Sequence, residues 1–270
     1  MPIDLKAYFQ RIGYDGRPAA TLDTLRALHG LHPAAIPFEN LSSFAALPVP
    51  LDLPSLEQKL LRDARGGYCF EQNTLFLEVL QALGFRVSAL GARVLWGQPA
   101  DDAITPRSHA LLKVELPEGT YLADVGFGVM VLTAPLKLEL DTVQPTPHEA
   151  FRVIRGAEGE MRMQAQVRDD WKTLYRFDLT PAFPVDYEVS NWYVSTYPSS
   201  HFRTGLMIAR AVPGRRYGLR NRSFSIHNLG GESSQRELAT VAELVQVLER
   251  DFGIRVPRTT EMYAAFQRLF

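Results

Sequence analysis

The stretch Arg65–Asn73, "RGGYCFEQN", carries the only cysteine of the 270-residue chain and opens a helical pattern. Downstream of it Phe76, Val79, Leu80 and Leu83 recur at helical spacing, and Gly84 suits the end of the helix. Cys69 is therefore expected in a first helical turn, where backbone N–H groups lack intrahelical partners and the helix dipole is positive. Both effects favour thiolate over thiol, and the same N–H groups are placed to stabilise an oxyanion on an acyl carbon. Gly66 and Gly67 allow a sharp turn and, on this reading, leave room for another group to approach the sulfur. A lone cysteine is by default a small, inert, buried side chain. Reading it as a nucleophile requires a base and an acid that orients the base.

Six histidines are available. His29 and His32 lie where Gly30 and Pro33 are expected to break a helix, which suggests surface or capping roles. Their H-x-x-H spacing has no further cysteine to support a metal site. His148 sits in a proline-rich loop and carries no signal, and His201 and His227 lie in a polar C-terminal region. His109 differs. It opens the strand-like "HALLKVEL", which is followed by "PEGTYLADVGFG" ending at Gly128. Pro117 and Gly119 fit a tight turn. Pairing Leu116 with Gly119 sets Leu111 opposite Asp124. His109 then shares a face with Asp124 as a diagonal neighbour, roughly 7–8 Å away at Cα. A loop one residue longer would put the two on opposite faces. The bland alternatives are a half-exposed strand-end histidine and a solvated carboxylate. Gly126 and Gly128 flank Phe127, which fits close backbone approach to a ligand beside an aromatic wall, or a β-bulge with one core phenylalanine.

The surrounding chain falls into three regions. Residues 1–84 read mainly as helix. Thr21 is placed to cap one helix, and Ser55 with Gln58 to form a capping box for another. Residues 85–200 are short, β-rich and punctuated by glycine and proline. Residues 201–270 mix strands with a helix over 241–252, capped by Thr240 and Glu243 and stopped by Gly253, and a last short helix. Hydrophobic residues make up 46% and charged residues 22%, ordinary for a globular chain with a real core. The net charge of -1 provides no general attraction to nucleic acid or to an anionic membrane. One cysteine excludes an internal disulfide. The start, "MPIDLKAYFQRIGYDG", lacks the apolar core of a signal peptide. No apolar run approaches the roughly 18 residues of a membrane span. A cytoplasmic location is expected.

"RGGYCFEQN", "SHALLKV" and "LADVGFG" resemble the three signature blocks of the arylamine N-acetyltransferases, in the same order and at similar spacing. "YFQRIGYDG", "IPFENL" at 36–41 and "SNWYVSTYPSSHF" at 190–202 also resemble that family, so that the likeness covers about the first 200 residues. The resemblance implies an α+β fold with a helical bundle, a central antiparallel β-barrel and a C-terminal α/β lid around a cysteine-protease-like core. It implies a catalytic triad of Cys69, His109 and Asp124. It implies ping-pong transfer from acetyl-CoA, without a metal, to arylamines, hydrazines or hydrazides and arylhydroxylamines. Glu39 and Arg65 would form a supporting ion pair, Phe38 and Phe127 would shape the acceptor pocket, and Thr105, Gly126 and Gly128 would border the coenzyme cleft. The expected partners are these small molecules, with the chain a monomer or homo-oligomer. A thiol protease or a transglutaminase-like amidase would use the same three residues. The six arginines between His201 and Arg222 (203, 210, 215, 216, 220 and 222) are read either as a phosphate-facing surface or as the solvated face of a twisted hairpin.

Overall fold

A computed structural model of the chain describes residues 2–270. Its N-terminal part is helical. Asp4 accepts from the Ala7 N–H to cap helix Leu5–Ile12, and Thr21 accepts from the Thr24 N–H to cap helix Leu22–Ala35. The second helix does not break at Gly30 or Pro33 as the sequence suggested. It runs through both to Ala35, because Leu25, Leu28, His29, His32 and Pro33 are all buried and tertiary packing outweighs the local penalty. The expected Ser55–Gln58 capping box is also displaced. Asp52 is the cap, accepting from the Ser55 N–H at 3.0 Å, and helix Leu53–Leu56 continues as a π-helical turn over Glu57–Arg62. Helix Cys69–Ala82 follows, and Gly84 closes it at φ +84°.

This helix lies directly on strands Arg86–Val94 and His109–Leu116. Its stripe of Leu75, Phe76, Val79 and Leu80 shares one fully buried cluster with Leu112, Val114 and Ala123 of the hairpin and with Leu25 and Leu28 of the second helix. Each such side chain contributes roughly 1.5–3 kcal/mol relative to exposure. That packing sets the start of the helix, and hence Cys69, against the start of the strand that carries His109.

The strands form an eight-stranded antiparallel sheet in the spatial order 136–137, 119–123, 109–116, 86–94, 170–181, 161–167, 150–155 and 144–145. The two outer strands meet. The side-chain amide of Gln144 accepts from the Lys137 N–H and donates to the Lys137 carbonyl, both at 2.8 Å. The sheet is thereby drawn into a nearly closed barrel, filled by Leu90, Leu111, Leu122, Phe151, Met163, Tyr175 and their neighbours. A second, five-stranded sheet runs 38–39, 207–212, 215–220, 223–228, 234–237. Its edge strand Phe38–Glu39 comes from the helical region. Helices Val241–Arg250 and Thr260–Gln267 pack on this sheet through Leu244, Leu248, Met262 and Phe266, together with Leu41 and Phe44. Thr240 caps the first of these helices, but the Glu243 carboxylate reaches the Ala239 N–H, so the reciprocal half of the expected box is shifted by one residue. The N- and C-terminal regions therefore interlock beside Phe38.

Candidate active site

The hairpin register is the one that an even loop requires. Leu116 pairs with Gly119 and Leu112 with Ala123, around a two-residue turn at Pro117 and Glu118. His109 and Asp124 emerge on one face, and His109 Nε2 donates to Asp124 Oδ2 at 2.7 Å. The carboxylate thus assigns the proton to Nε2 and leaves Nδ1 on the side of Cys69. The Cys69 thiol donates to the Ser108 carbonyl, immediately before the histidine, at 3.7 Å. All three side chains are buried. Burial alone would lower the His109 pKa. The Asp124 charge and hydrogen bond, with Cys69 adding to them, reverse the effect and raise it well above the ordinary imidazole range. Burial pushes the Asp124 carboxyl up, but the His109 charge and donors from Gly126 and Asn73 outweigh it and hold the group below the usual range.

Asn73, one turn along the helix that Cys69 opens, is a residue of the site that the sequence reading missed. Its amide donates to the Ala110 carbonyl at 2.7 Å and to Asp124 Oδ1 at 3.1 Å, and it accepts from the Val125 N–H at 3.1 Å. One side chain therefore ties the helix to both strands of the hairpin. Its signal was its spacing of four from Cys69, on the same helical face. Tyr175 was also missed. Its ring lies 4.8 Å from the His109 ring and 5.0 Å from Phe127, which itself meets His109 edge-on at 4.9 Å.

The glycines divide differently from the expectation. Gly66 and Gly67 do not open a path to the sulfur. A Cβ on Gly66 would lie 2.0 Å from the Pro37 carbonyl oxygen, and one on Gly67 would lie 2.7 Å from a Glu71 oxygen. They allow the loop to pack on the Phe38 strand and on Glu71, whose carboxylate accepts from the Tyr68 N–H and pairs with Lys59. It is Gly126 that approaches Cys69, since a Cβ there would meet Cys69 Cα at 2.7 Å. His29 and His32 are likewise not on the surface: both are fully buried. His32 lies between the Tyr8 hydroxyl at 3.0 Å and Gln72 Oε1 at 2.7 Å, while the Gln72 amide donates to the carbonyls of Ile36, Pro37 and Gly67. With its three acceptors fixing the amide, Gln72 presents only oxygen to His32, so Nε2 bears the His32 proton and Nδ1 accepts from Tyr8. This relay braces the loop that leads into Cys69.

The N-acetyltransferase family model matches residues 21–261. An arylamine N-acetyltransferase of Mycobacterium tuberculosis is 43% identical over 272 aligned positions, covering 100% of this chain and 95% of the relative. The chain belongs to the arylamine N-acetyltransferase family. A Salmonella typhimurium member, named arylamine N-acetyltransferase / N-hydroxyarylamine O-acetyltransferase, is 38% identical over 93% of this chain and 89% of its own. The solved Mycobacterium marinum arylamine N-acetyltransferase superposes with a TM-score of 0.95 at 41% identity, covering 98% of this chain and 99% of that one, and a second structure of it contains CoA. The match extends through the last 70 residues, which the sequence motifs left open.

Arg65 Nε donates to Glu39 Oε1 at 2.8 Å, Glu39 Oε2 accepts from the Leu41 N–H at 2.6 Å, and both side chains are buried. Phe38 is half-buried and packs edge-on to Phe202, which leans on Tyr68 beside Cys69. The Thr105 carbonyl accepts from Arg93, and its hydroxyl is buried without a partner. Gly128 takes φ +71° opposite the Phe38 ring. Of the six arginines, three turn inward. Arg203 donates to the Ser43 carbonyl, Arg210 to those of Ala34 and Asp251, and buried Arg216 to Glu149 and to the carbonyls of Val129 and Val131. Arg215 and Arg220 are exposed on the hairpin, and half-buried Arg222, in the turn beyond it, pairs with Glu237. No helix among the described residues is long and apolar enough to cross a membrane.

Proposed function

We propose that this arylamine N-acetyltransferase works by ping-pong transfer through an acetyl thioester on Cys69, with His109 as base and Asp124 as its orienting acid. The observation that carries the reading is the joint burial of thiol, imidazole and carboxylate, with the thiol held on the Ser108 carbonyl next to His109 and the 2.7 Å bond engaging Nε2, so that Nδ1 is the ring nitrogen left for the sulfur. His109 Nδ1, whose affinity for a proton the Asp124 charge raises, holds the proton of Cys69 in the resting pair, and the sulfur attacks the thioester carbon of acetyl-CoA as thiolate. The carbonyl oxygen becomes an oxyanion within reach of the free N–H groups of the first helical turn. Collapse of the tetrahedral adduct breaks the bond to the CoA sulfur, which leaves with the proton from His109. The amine then attacks the acetyl carbon, His109 takes its proton, and the Cys69 sulfur departs and is reprotonated.

Aromatic amines suit the second half of the cycle because their low basicity leaves the lone pair free near neutral pH. Arylhydrazines, hydrazides and arylhydroxylamines share this property, and the name of the Salmonella relative supports hydroxylamine oxygen as an acceptor. Phe38 and Phe127 form the aromatic walls for the acceptor, and the coenzyme passes Thr105, Gly126 and Gly128. Mixing with acetyl-CoA and no acceptor is expected to add one acetyl group to Cys69, seen by peptide mass spectrometry, and aniline is expected to discharge it. An enzyme that forms product only when both substrates are present, with no acylated Cys69, would overturn the ping-pong reading.

A further inference from the structure

The hydrogen-bonded ladder between the two hairpin strands stops at Leu112 and Ala123. Beyond it three successive backbone amides are each taken by a side chain. The Asp124 N–H donates to His29 Nε2 at 3.1 Å, the Val125 N–H to Asn73 Oδ1, and the Gly126 N–H to the Asp124 carboxylate itself at 3.0 Å. Asp124 therefore lies between two imidazoles: His109 holds its carboxylate and His29 its main chain. We infer that His29 is a positioning residue of the triad, taking the place of a strand partner for the Asp124 amide and so fixing the direction in which the carboxylate points at His109.

The chemistry of the ring supports this role. A nitrogen that accepts from an N–H carries no proton, so the His29 proton resides on Nδ1. That nitrogen is buried without a hydrogen-bond partner, and the ring packs edge-on to Phe76 at 5.9 Å. Burial pushes the His29 pKa down to about 4, outweighing the upward pull of Asp124. The ring therefore stays uncharged over the neutral range, and its acceptor lone pair stays available. The two imidazoles on one aspartate thus hold opposite states: the nearby carboxylate prevails at His109 and desolvation prevails at His29. No titrating side chain besides Asp124 and the uncharged His32 enters the balance at His29.

The inference rests on Asp124 acting as the orienter of His109, and the test separates the two ideas. His29→Gln keeps an acceptor at about the reach of Nε2, whereas His29→Asn ends near the position of Nδ1. The Gln variant is expected to retain kcat within about threefold. The Asn variant should lose about tenfold or more, as an unpaired buried donor implies, with KM for both substrates unchanged. In the Asn variant the His109 titration, followed by NMR, should move down toward its ordinary value. In the unaltered protein, spectra of 15N-histidine-labelled material should show His29 as the Nδ1–H tautomer. Equal activity of the two variants, equal impairment of both, or an Nε2–H tautomer at His29 would overturn the assignment. The tautomer and titration are read without turnover, so failure of the acetyl-cysteine mechanism would leave them standing.

Discussion

Replacing Asp124 with asparagine tests the site most sharply, because the structure dictates how the new amide must sit. Oδ1 of Asp124 accepts from two donors, Asn73 Nδ2 at 3.1 Å and the Gly126 N–H at 3.0 Å. An NH2 group cannot face two donors, so the amide oxygen takes that position and the NH2 takes that of Oδ2. It then points a donor at His109 Nε2, which now 2.7 Å from the carboxylate is itself a donor. The imidazole must give up its Nε2 proton and carry one on Nδ1 instead, the nitrogen needed to receive the Cys69 proton. The same inversion in the serine-protease triad costs about 10⁴ in kcat, or ~5.5 kcal/mol of barrier. Here the rate of Cys69 acetylation by acetyl-CoA in single-turnover mass spectrometry is expected to fall by that order. Far-UV circular dichroism should be unchanged, because both Oδ1 donors keep their acceptor. Histidine 15N spectra should show the proton transferred to Nδ1 of His109. A variant that acetylates within about tenfold of the parent, or whose His109 keeps Nε2–H, would refute the tautomer argument.

Gly126→Ala places a methyl group 2.7 Å from Cys69 Cα and 3.0 Å from Asn73 Nδ2. Overpacking of this kind costs about 1–3 kcal/mol, read as a lower urea midpoint, and the displaced turn should slow Cys69 acetylation as well. Gly128→Ala meets only ordinary contact with Phe38 at 3.7 Å, so its cost of about 1–2 kcal/mol should arise from its left-handed φ. Glu39→Gln leaves the buried Arg65 guanidinium without its counter-charge. A loss of about 3–5 kcal/mol in denaturant unfolding is expected, and a neutral result would show that water reaches the pair. The buried histidines predict an acid limb. Burial lowers His29 to about 4 and His32 to about 3, so the unfolded chain binds their protons first as pH falls below 6.5. Their contribution is fully present above that pH and is lost toward pH 4 and below, by up to ~1.4 kcal/mol per pH unit for each ring. The urea midpoint of His32→Gln should therefore depend less steeply on pH between about 4.5 and 6.5 than that of the parent.

Much of the site was legible because it is built from local periodicities. The alternation in "HALLKVEL" and "TYLADVGFG", with Pro117 at the turn, determines which residues of the hairpin share a face, and a tight turn allows only one register for His109 and Asp124. The helix start at Cys69 follows from its apolar stripe and the glycines before it. Glu39 and Arg65 were reached through the family motifs alone, since two residues 26 positions apart carry no local sign that they meet.

What the sequence by itself determined was thus the place of Cys69 at a helix start, the shared face of His109 and Asp124, and the order of helical, β and mixed regions. Only the tertiary structure decided how those parts are held. Gly30 and Pro33 look like breakers until burial on both sides carries the helix through them. His29 and His32 look like surface residues until that helix turns them inward to Asp124 and Gln72. Half of the arginine run looks ready for phosphate until carbonyls and Glu149 from distant segments take it up. The reason is common to all of these. Strand and helix periods are written in neighbouring residues, whereas the partner of a buried polar group is any chain segment that packing brings to it, and burial makes finding that partner obligatory.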